Sequence, residues 1–420
     1  MQDDAYRSPA VLNGKGLPAG DCWSAERLAQ ARPSILREEV SLPAAVLQAS
    51  ALAHNLAWMR GFVAAYGCLL APHGKTTMSP ALFDMQARAG AWGLTLATAP
   101  QTIAAVTHGA RRMLMANQLV GKANFELIAD MQAAHPDTWF ACLVDSADNV
   151  AALGRHFAAR GQTVRVLLEV GVSGGRSGVR DTAQAEAVLA EIARWPAVVL
   201  AGVETYEGVL KEEAPIRALL ARTVALWESL EARDAFTETP AVLSGAGSAW
   251  FDVVAETFAP LAGRARIVLR PGCYLTHDVG AYKLAAERMH AVNPVARAMV
   301  TGLRPALRVW ACVQSRPEPG RAIIGLGKRD AAFDAGFPLP ALWHRPELHD
   351  DAPQAVPVHW RITAMMDQHA FLELAAEDDL RVGDLLCFDI SHPCLTFDKW
   401  RHLLVVDDAH RVIGAVDTHF

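Results

Sequence analysis

Between residues 68 and 270, short apolar runs of strand length alternate with stretches of helical spacing, and this alternation leaves few folds open to the chain. The runs occupy 68–70, 92–98, 112–116, 140–144, 164–170, 198–203, 241–244 and 267–270. The intervening stretches read as helices over 80–89, 100–108, 121–135, 147–160, 181–194 and 215–233, with a shorter one from about 249. Most of the runs are continuously apolar rather than alternating, as strands covered on both faces are. Repeated strand–helix units of this kind predict an α/β fold with a parallel sheet and helices outside it. Eight such units fit a closed (β/α)8 barrel of about 240 residues.

The rhythm changes near residue 290. Alternating apolar residues and Gly/Pro turns then predict antiparallel strands at 308–314, 321–325, 359–365 and 384–390. The segment 337–357, rich in proline and histidine, reads as a long loop. A chain of 420 residues exceeds one ordinary core. The expected organisation is an N-terminal arm at 1–40 that either stands apart or joins the β domain, a barrel at 41–290, and an antiparallel β domain at 291–420. Residues 1–35 carry little periodicity and are expected to be of low order, while 40–47 reads as a strand and 49–66 as a helix.

The formal net charge of −6 comes without a basic block or a polybasic amphipathic helix, so neither nucleic acid nor a membrane surface is an expected partner. The first residues lack the basic-then-apolar order of a signal peptide, and no apolar run reaches membrane-span length. Seven scattered cysteines without CxxC spacing point to a reducing cytoplasm.

Four stretches carry chemistry. Lys75, in Pro72-His73-Gly74-Lys75-Thr76, follows a buried strand; partial desolvation there lowers an amine's pKa and makes it a nucleophile. Ser244-Gly245-Ala246-Gly247-Ser248 follows an apolar strand and precedes a helix, so its N–H groups and two hydroxyls suit a phosphate dianion. The strand ending at Glu169 runs into a glycine-rich loop that offers one arginine, Arg176. His392 and Cys394, two apart, face one side in extended backbone and form a donor pair that favours zinc and leaves positions open.

Taken in order, these stretches resemble the family of D-threonine aldolase and metal-dependent D-serine dehydratase, pyridoxal-phosphate enzymes of fold type III with an alanine-racemase-like barrel. Pro72-His73-Gly74-Lys75-Thr76 resembles its Pro-His-x-Lys-Thr signature, although Thr77-Met78 stands where His-Lys is usual. The resemblance implies that Lys75 carries the cofactor covalently, with His73 beside it. The 244–248 loop is similar to Ser-x-Gly-Gly-Thr with one glycine replaced by Ala246. Arg176-Ser177-Gly178-Val179 is similar to Arg-x-Gly-Val, with one extra residue after Gly171, and implies an arginine at the pyridine nitrogen. Tyr206 sits in a Tyr-x-Gly segment and Tyr274 in Arg270-Pro271-Gly272-Cys273-Tyr274, which resembles Arg-Pro-Gly-x-Tyr. These imply a ring-packing or donating role for Tyr206 and a hydroxyl on the phosphate or substrate side for Tyr274. His392 and Cys394 resemble the dehydratase form of the metal site, whereas the aldolases usually have His-x-Asp. Thr98 ends an earlier strand at the corresponding level, and Asp367-Gln368-His369 resembles an acidic-x-His segment near the metal, giving His369 at most an indirect role.

The resemblance covers about residues 40–400. It implies a zinc-dependent dehydratase, with another divalent metal as the alternative ion, turning a 3-hydroxy D-amino acid into a 2-oxo acid and ammonia, and a homodimer as the assembly. Cleavage to glycine and an aldehyde, racemisation, and a non-catalytic cofactor carrier stay open as alternatives.

Overall fold

The computed structural model describes residues 11–20, 22–346 and 352–420. The first residues, which carry the expected absence of a leader, lie outside these, as does the middle of the expected 337–357 loop. Helix α1 (Ala25–Ala31) starts at the Ser24 cap and buries Leu28. Part of the stretch expected to be of low order is therefore a packed helix. Strand β1 (Ala44–Gln48) follows, then α2 (Ala49–Ala65).

Eight parallel strands come next: β2 (Leu69–Leu70), β3 (Leu94–Leu96), β4 (Arg112–Gln118), β5 (Trp139–Val144), β6 (Val164–Val170), β7 (Val198–Thr205), β8 (Val242–Gly245) and β9 (Arg266–Leu269). Between them run α3 (Pro80–Arg88), α4 (Ala99–Thr107), α5 (Lys122–Ala134), α6 (Ala147–Ala159), α7 (Thr182–Arg194), α8 (Glu213–Glu231) and α9 (Phe251–Phe258). The order β2-β9-β8-β7-β6-β5-β4-β3 is that of a rolled sheet. The Trp92 N–H donates to Leu70 O at 2.7 Å and the Thr95 N–H to Pro72 O at 2.9 Å, which joins β3 to β2 and closes the barrel. Inside, Leu114, Ala116, Ala141, Leu143, Leu167 and Ala201 form a small separate cluster, while the larger side chains face the helices. These leucines and alanines fill the interior, so the barrel is a packed core and not a pore. Thr98, considered for the site, is the N-cap of α4 and accepts the Gln101 N–H.

Helices α10 (Ala281–Val292) and α11 (Pro294–Ala298) lead to the second sheet: β10 (Leu307–Glu318), β11 (Arg321–Ile324), β12 (Leu339–His344), β13 (Gln354–Ala355), β14 (Arg361–Met365), β15 (Ala370–Glu373) and β16 (Leu385–Asp389). A short helix, α12 (Cys394–Phe397), precedes β17 (His402–Val406) and β18 (Val412–Asp417). The main path is β13-β12-β16-β10-β1-β17-β18, with β11, β15 and β14 extending from β10. Strand β1 thus lies between β10 and β17 and not in the barrel. The expected 337–357 loop contains β12, paired to β16 and β13. Pro340 and the surrounding histidines mask its alternation, and a bulge at Pro340–Leu342 accommodates the missing N–H.

Because β1 enters the second sheet and α2 returns to the barrel, the two units share one continuous apolar core, running from Leu47 and Phe62 to Val309 and Phe388. Among the described residues no helix is long and apolar enough to cross a membrane.

Candidate active site

The C-terminal ends of the barrel strands surround a cavity of about 270 Å³. It is smaller than a second cavity of about 430 Å³ at the opposite rim, between Trp92, Arg112 and Trp139, but the candidate residues converge on the first. This is the face on which barrels of this kind carry their chemistry.

Lys75 stands in a one-turn 3-10 helix, Gly74–Thr76, just after β2. The turn lifts its amine into the cavity, where it is exposed and not partly buried as expected at the end of a buried strand. Two glycines allow this placement. A Cβ on Gly74 would lie 2.9 Å from the Phe83 ring, so close packing rather than a special turn requires that glycine. A Cβ on Gly272 would lie 2.6 Å from the His73 carbonyl oxygen and 2.7 Å from Thr76 Oγ1. Only glycine lets the Arg270–Gly272 turn press onto the lysine turn.

His73 also lines the cavity. Burial first, then the positive charges of Lys75, Arg270 and Arg176, hold its imidazole well below the ordinary pKa, so it is neutral. Its buried Nδ1 has no partner among the described residues. Arg176 reaches the cavity from the loop after β6, its guanidinium 4.8 Å from the Tyr206 ring centroid. Arg270, which sequence reasoning named only as part of a motif, is buried at the barrel mouth. It pairs with Glu204 and donates to Thr205 O at 3.1 Å. Burial pushes the Glu204 carboxyl up to about 8 despite that partner.

The 244–248 turn divides. Ala246, Gly247 and Ser248 line the cavity; Ser244 and Gly245 do not. The fully buried Ser244 hydroxyl donates to Val268 O at 3.0 Å across the neighbouring strand, which corrects its expected role as a cavity donor. Ser248 Oγ accepts the Cys273 N–H at 3.1 Å. Ala246 takes a positive φ of 81°, a region that favours glycine. The N–H groups of Ala246 and Gly247 donate to the buried Glu207 carboxylate at 3.2 and 2.7 Å. Burial raises the pKa of that carboxyl, and these N–H bonds pull it back. Tyr274 is likewise corrected: its ring is in the core and its hydroxyl accepts from Gln86 Nε2 at 3.2 Å, outside the cavity.

The second domain closes the cavity with His392 and Cys394. Cys394 opens α12, so a turn at Pro393 rather than an extended pleat brings the two together. His392 and Cys394 line the same wall, and His392 Nδ1 is 2.8 Å from Asp334 Oδ2. A carboxylate on Nδ1 leaves Nε2 for a metal, the arrangement that orients histidine ligands. The Cys394 thiol is held below its ordinary pKa, first by its hydrogen bond with Cys273, then by His392 and Thr76 against burial. His392 is held up to about 9, first by Cys394 and then by Asp334. Cys273 and Tyr282 also line this wall, and sequence reasoning assigned neither. Asp334 was missed for the same reason: nothing local in its segment points to a partner 58 residues away. Asp367 and His369 sit exposed around the β14–β15 turn and do not line the cavity. Among the described residues, no three His, Cys, Asp or Glu side chains already surround one point as a metal cage.

A parallel barrel with a lysine on its first strand end, joined to an antiparallel domain that faces the same cavity, defines an alanine-racemase-like protein. Residues 47–276 match the alanine racemase N-terminal domain family, and residues 306–406 match the serine dehydratase domain. The chain belongs to this pyridoxal-phosphate-dependent family, in the group that joins the two domains. It is 26% identical over 410 residues to a D-threonine aldolase of Arthrobacter sp, with 96% of each chain covered. It is 32% identical over 140 residues to a D-threo-3-hydroxyaspartate dehydratase of Delftia sp. strain HT23, covering 33% of this chain and 35% of that one. The crystal structure of D-threonine aldolase from Filomicrobium marinum matches with a TM-score of 0.75 at 24% identity, covering 92% of this chain and 98% of that one; at that identity it speaks for the fold.

Proposed function

We propose that the protein is a pyridoxal-phosphate- and zinc-dependent dehydratase that converts a 3-hydroxy D-amino acid into a 2-oxo acid and ammonia. The observation that carries this reading is the placement of His392 and the Cys394 thiol together on the wall of the cavity that holds Lys75. The cavity suits the cofactor: an amine for its carbonyl, guanidinium and hydroxyl donors for its anionic groups, and an unclaimed His73 Nδ1. Bound there, pyridoxal phosphate supplies the ring that makes the Cα proton of an amino acid acidic, and zinc at His392 and Cys394 supplies a Lewis acid for the 3-hydroxyl.

The chain's own residues do the rest. Lys75 holds the cofactor and, once displaced by the substrate amine, takes the Cα proton on Nζ. Arg176 and Ser248 line the cavity as donors for the cofactor's nitrogen and phosphate. Neutral His73 offers a hydrogen bond without adding charge. Asp334 keeps the His392 ring oriented. Lys75 and the His392–Cys394 pair come from different domains, so the two ends of an H–Cα–Cβ–OH unit meet groups held independently. Loss of the proton from Cα and hydroxide from Cβ, followed by hydrolysis and loss of ammonia, leaves the 2-oxo acid.

The thiol supports the dehydratase reading over the aldolase one. A solved cysteine-to-alanine variant of a D-threo-3-hydroxyaspartate dehydratase is described as its metal-free form. The similarity over 96% of the chain to a D-threonine aldolase favours a second reading, cleavage to glycine and an aldehyde. Product analysis with a panel of 3-hydroxy D-amino acids separates them. The expected products are ammonia and a 2-oxo acid, lost on chelation and restored by zinc, while borohydride fixes the cofactor on Lys75. Glycine and aldehyde as main products, or a label on another lysine, would overturn the reading.

A further inference from the structure

Cys273 has no task in the function just described, yet it is buried against the metal wall. It follows β9 in the Arg270–Tyr274 turn, and its Sγ lies 3.7 Å from Cys394 Sγ, 121 residues away in the other domain. The separation is far from the ~2.05 Å of a disulfide. It matches two thiolates sharing one zinc ion, since Zn–S bonds of about 2.3 Å at a tetrahedral angle put the sulfurs about 3.8 Å apart. The neighbours fit the same role. Thr76 Oγ1 lies 3.4 Å from Cys394 Sγ and 3.9 Å from Cys273 Sγ, and Tyr282 lines the same wall of the cavity. Polar groups beside both sulfurs are the kind of surroundings that metal-bound thiolates have.

We propose that Cys273 is a third protein ligand of the metal centre, completing a Cys2His set with His392 and Cys394 and leaving one position for the substrate hydroxyl. The proposal rests on the reading that His392 and Cys394 bind a metal. Among the described residues the three donors do not surround a common point, so metal binding has to draw them together. Two thiolates and an imidazole with one open position form a ligand set that catalytic zinc uses. It disfavours magnesium and calcium, which take oxygen ligands. Each thiol that joins the ion gives up its proton. The ion then ties a barrel turn to the second domain across the cavity.

The test strips the metal from the holoenzyme and titrates it with cobalt(II), reading the sulfur-to-cobalt charge-transfer absorption, with zinc affinity from competition against a chromophoric chelator. The wild-type spectrum should carry two thiolates. Cys273→Ser should keep one thiolate's intensity and weaken metal affinity by more than about a hundredfold, beyond the roughly 10–100-fold that loss of a merely supporting group costs. Its pyridoxal-phosphate absorbance should be unchanged, which controls for folding; Cys273→Ala should behave alike. If Cys273→Ser keeps wild-type intensity and affinity while Cys394→Ser loses both, the third ligand is refuted and the two-ligand centre stands. If the wild-type protein shows no thiolate-bound cobalt, the metal reading fails along with it.

Discussion

The Glu207 carboxylate accepts the Gly247 N–H at 2.7 Å and the Ala246 N–H at 3.2 Å, so an anion of the chain itself already holds two donors of the turn suited to phosphate. The carboxyl is fully buried, which raises its pKa, and the Gly247 and Ala246 bonds, its own backbone and the Arg270 charge pull it back. In Glu207→Gln the shape survives, but one N–H faces an amide nitrogen, which costs about 1–3 kcal/mol. The melting temperature should fall. Carboxylate and phosphate compete for the same donors, so the cofactor Kd should not rise. A raised Kd at unchanged melting temperature would show that Glu207 serves the cofactor and not the turn.

Ala246 holds a left-handed conformation that costs an alanine about 1–2 kcal/mol. Glycine would escape that strain, at the expense of about 0.4–1 kcal/mol for its freedom in the unfolded chain. The first effect is the larger. Ala246→Gly should therefore raise stability by on the order of 1 kcal/mol in thermal or denaturant unfolding. An unchanged or lowered midpoint would mean that the alanine methyl makes a contact worth as much as the strain.

The two serines of the turn should behave differently. Ser248 faces the cavity, whereas the Ser244 hydroxyl is spent on Val268 O. Ser248→Ala should weaken cofactor retention in equilibrium dialysis. Ser244→Ala should leave retention near wild type and lower the melting temperature by the worth of one buried hydrogen bond, about 1 kcal/mol. The reverse pattern would mean that the turn rearranges when the cofactor binds.

Glu204 makes stability depend on pH. Burial raises its folded-state pKa from 4.5 to about 8, with the Arg270 charge opposing. Between those values the unfolded chain has given up a proton that the fold retains, so the fold's advantage is full at low pH. It is lost as pH rises through about 8. Glu204→Gln, uncharged throughout, lacks this loss and still presents Arg270 with an oxygen acceptor, as the neutral acid does below about pH 8. The gap between wild-type and variant melting temperatures should narrow as pH rises from 5 to 8.5; a constant gap would place the Glu204 pKa outside the window.

What the chain by itself determined was local. The strand–helix alternation specified the barrel, because strands buried on both faces must be apolar along their whole length and the helices that cover them must be amphipathic. Short motifs brought Lys75, Arg176, the 244–248 turn and the His392–Cys394 pair into view, since each depends on residues a few positions apart. Strand β12 stayed hidden because proline and histidine blur a period of two. Only the tertiary structure decided which side chains of those motifs face the cavity. Ser244 and Tyr274 turned inward because Val268 O and Gln86 lay within reach of their hydroxyls. Glu207, Arg270, Cys273, Tyr282 and Asp334 gained meaning only when strand ends far apart in sequence met at one rim. Burial and pairing charges, which set how Glu204, His73 and Cys394 titrate, are properties of neighbours supplied by other elements, and no spacing along the chain encodes them.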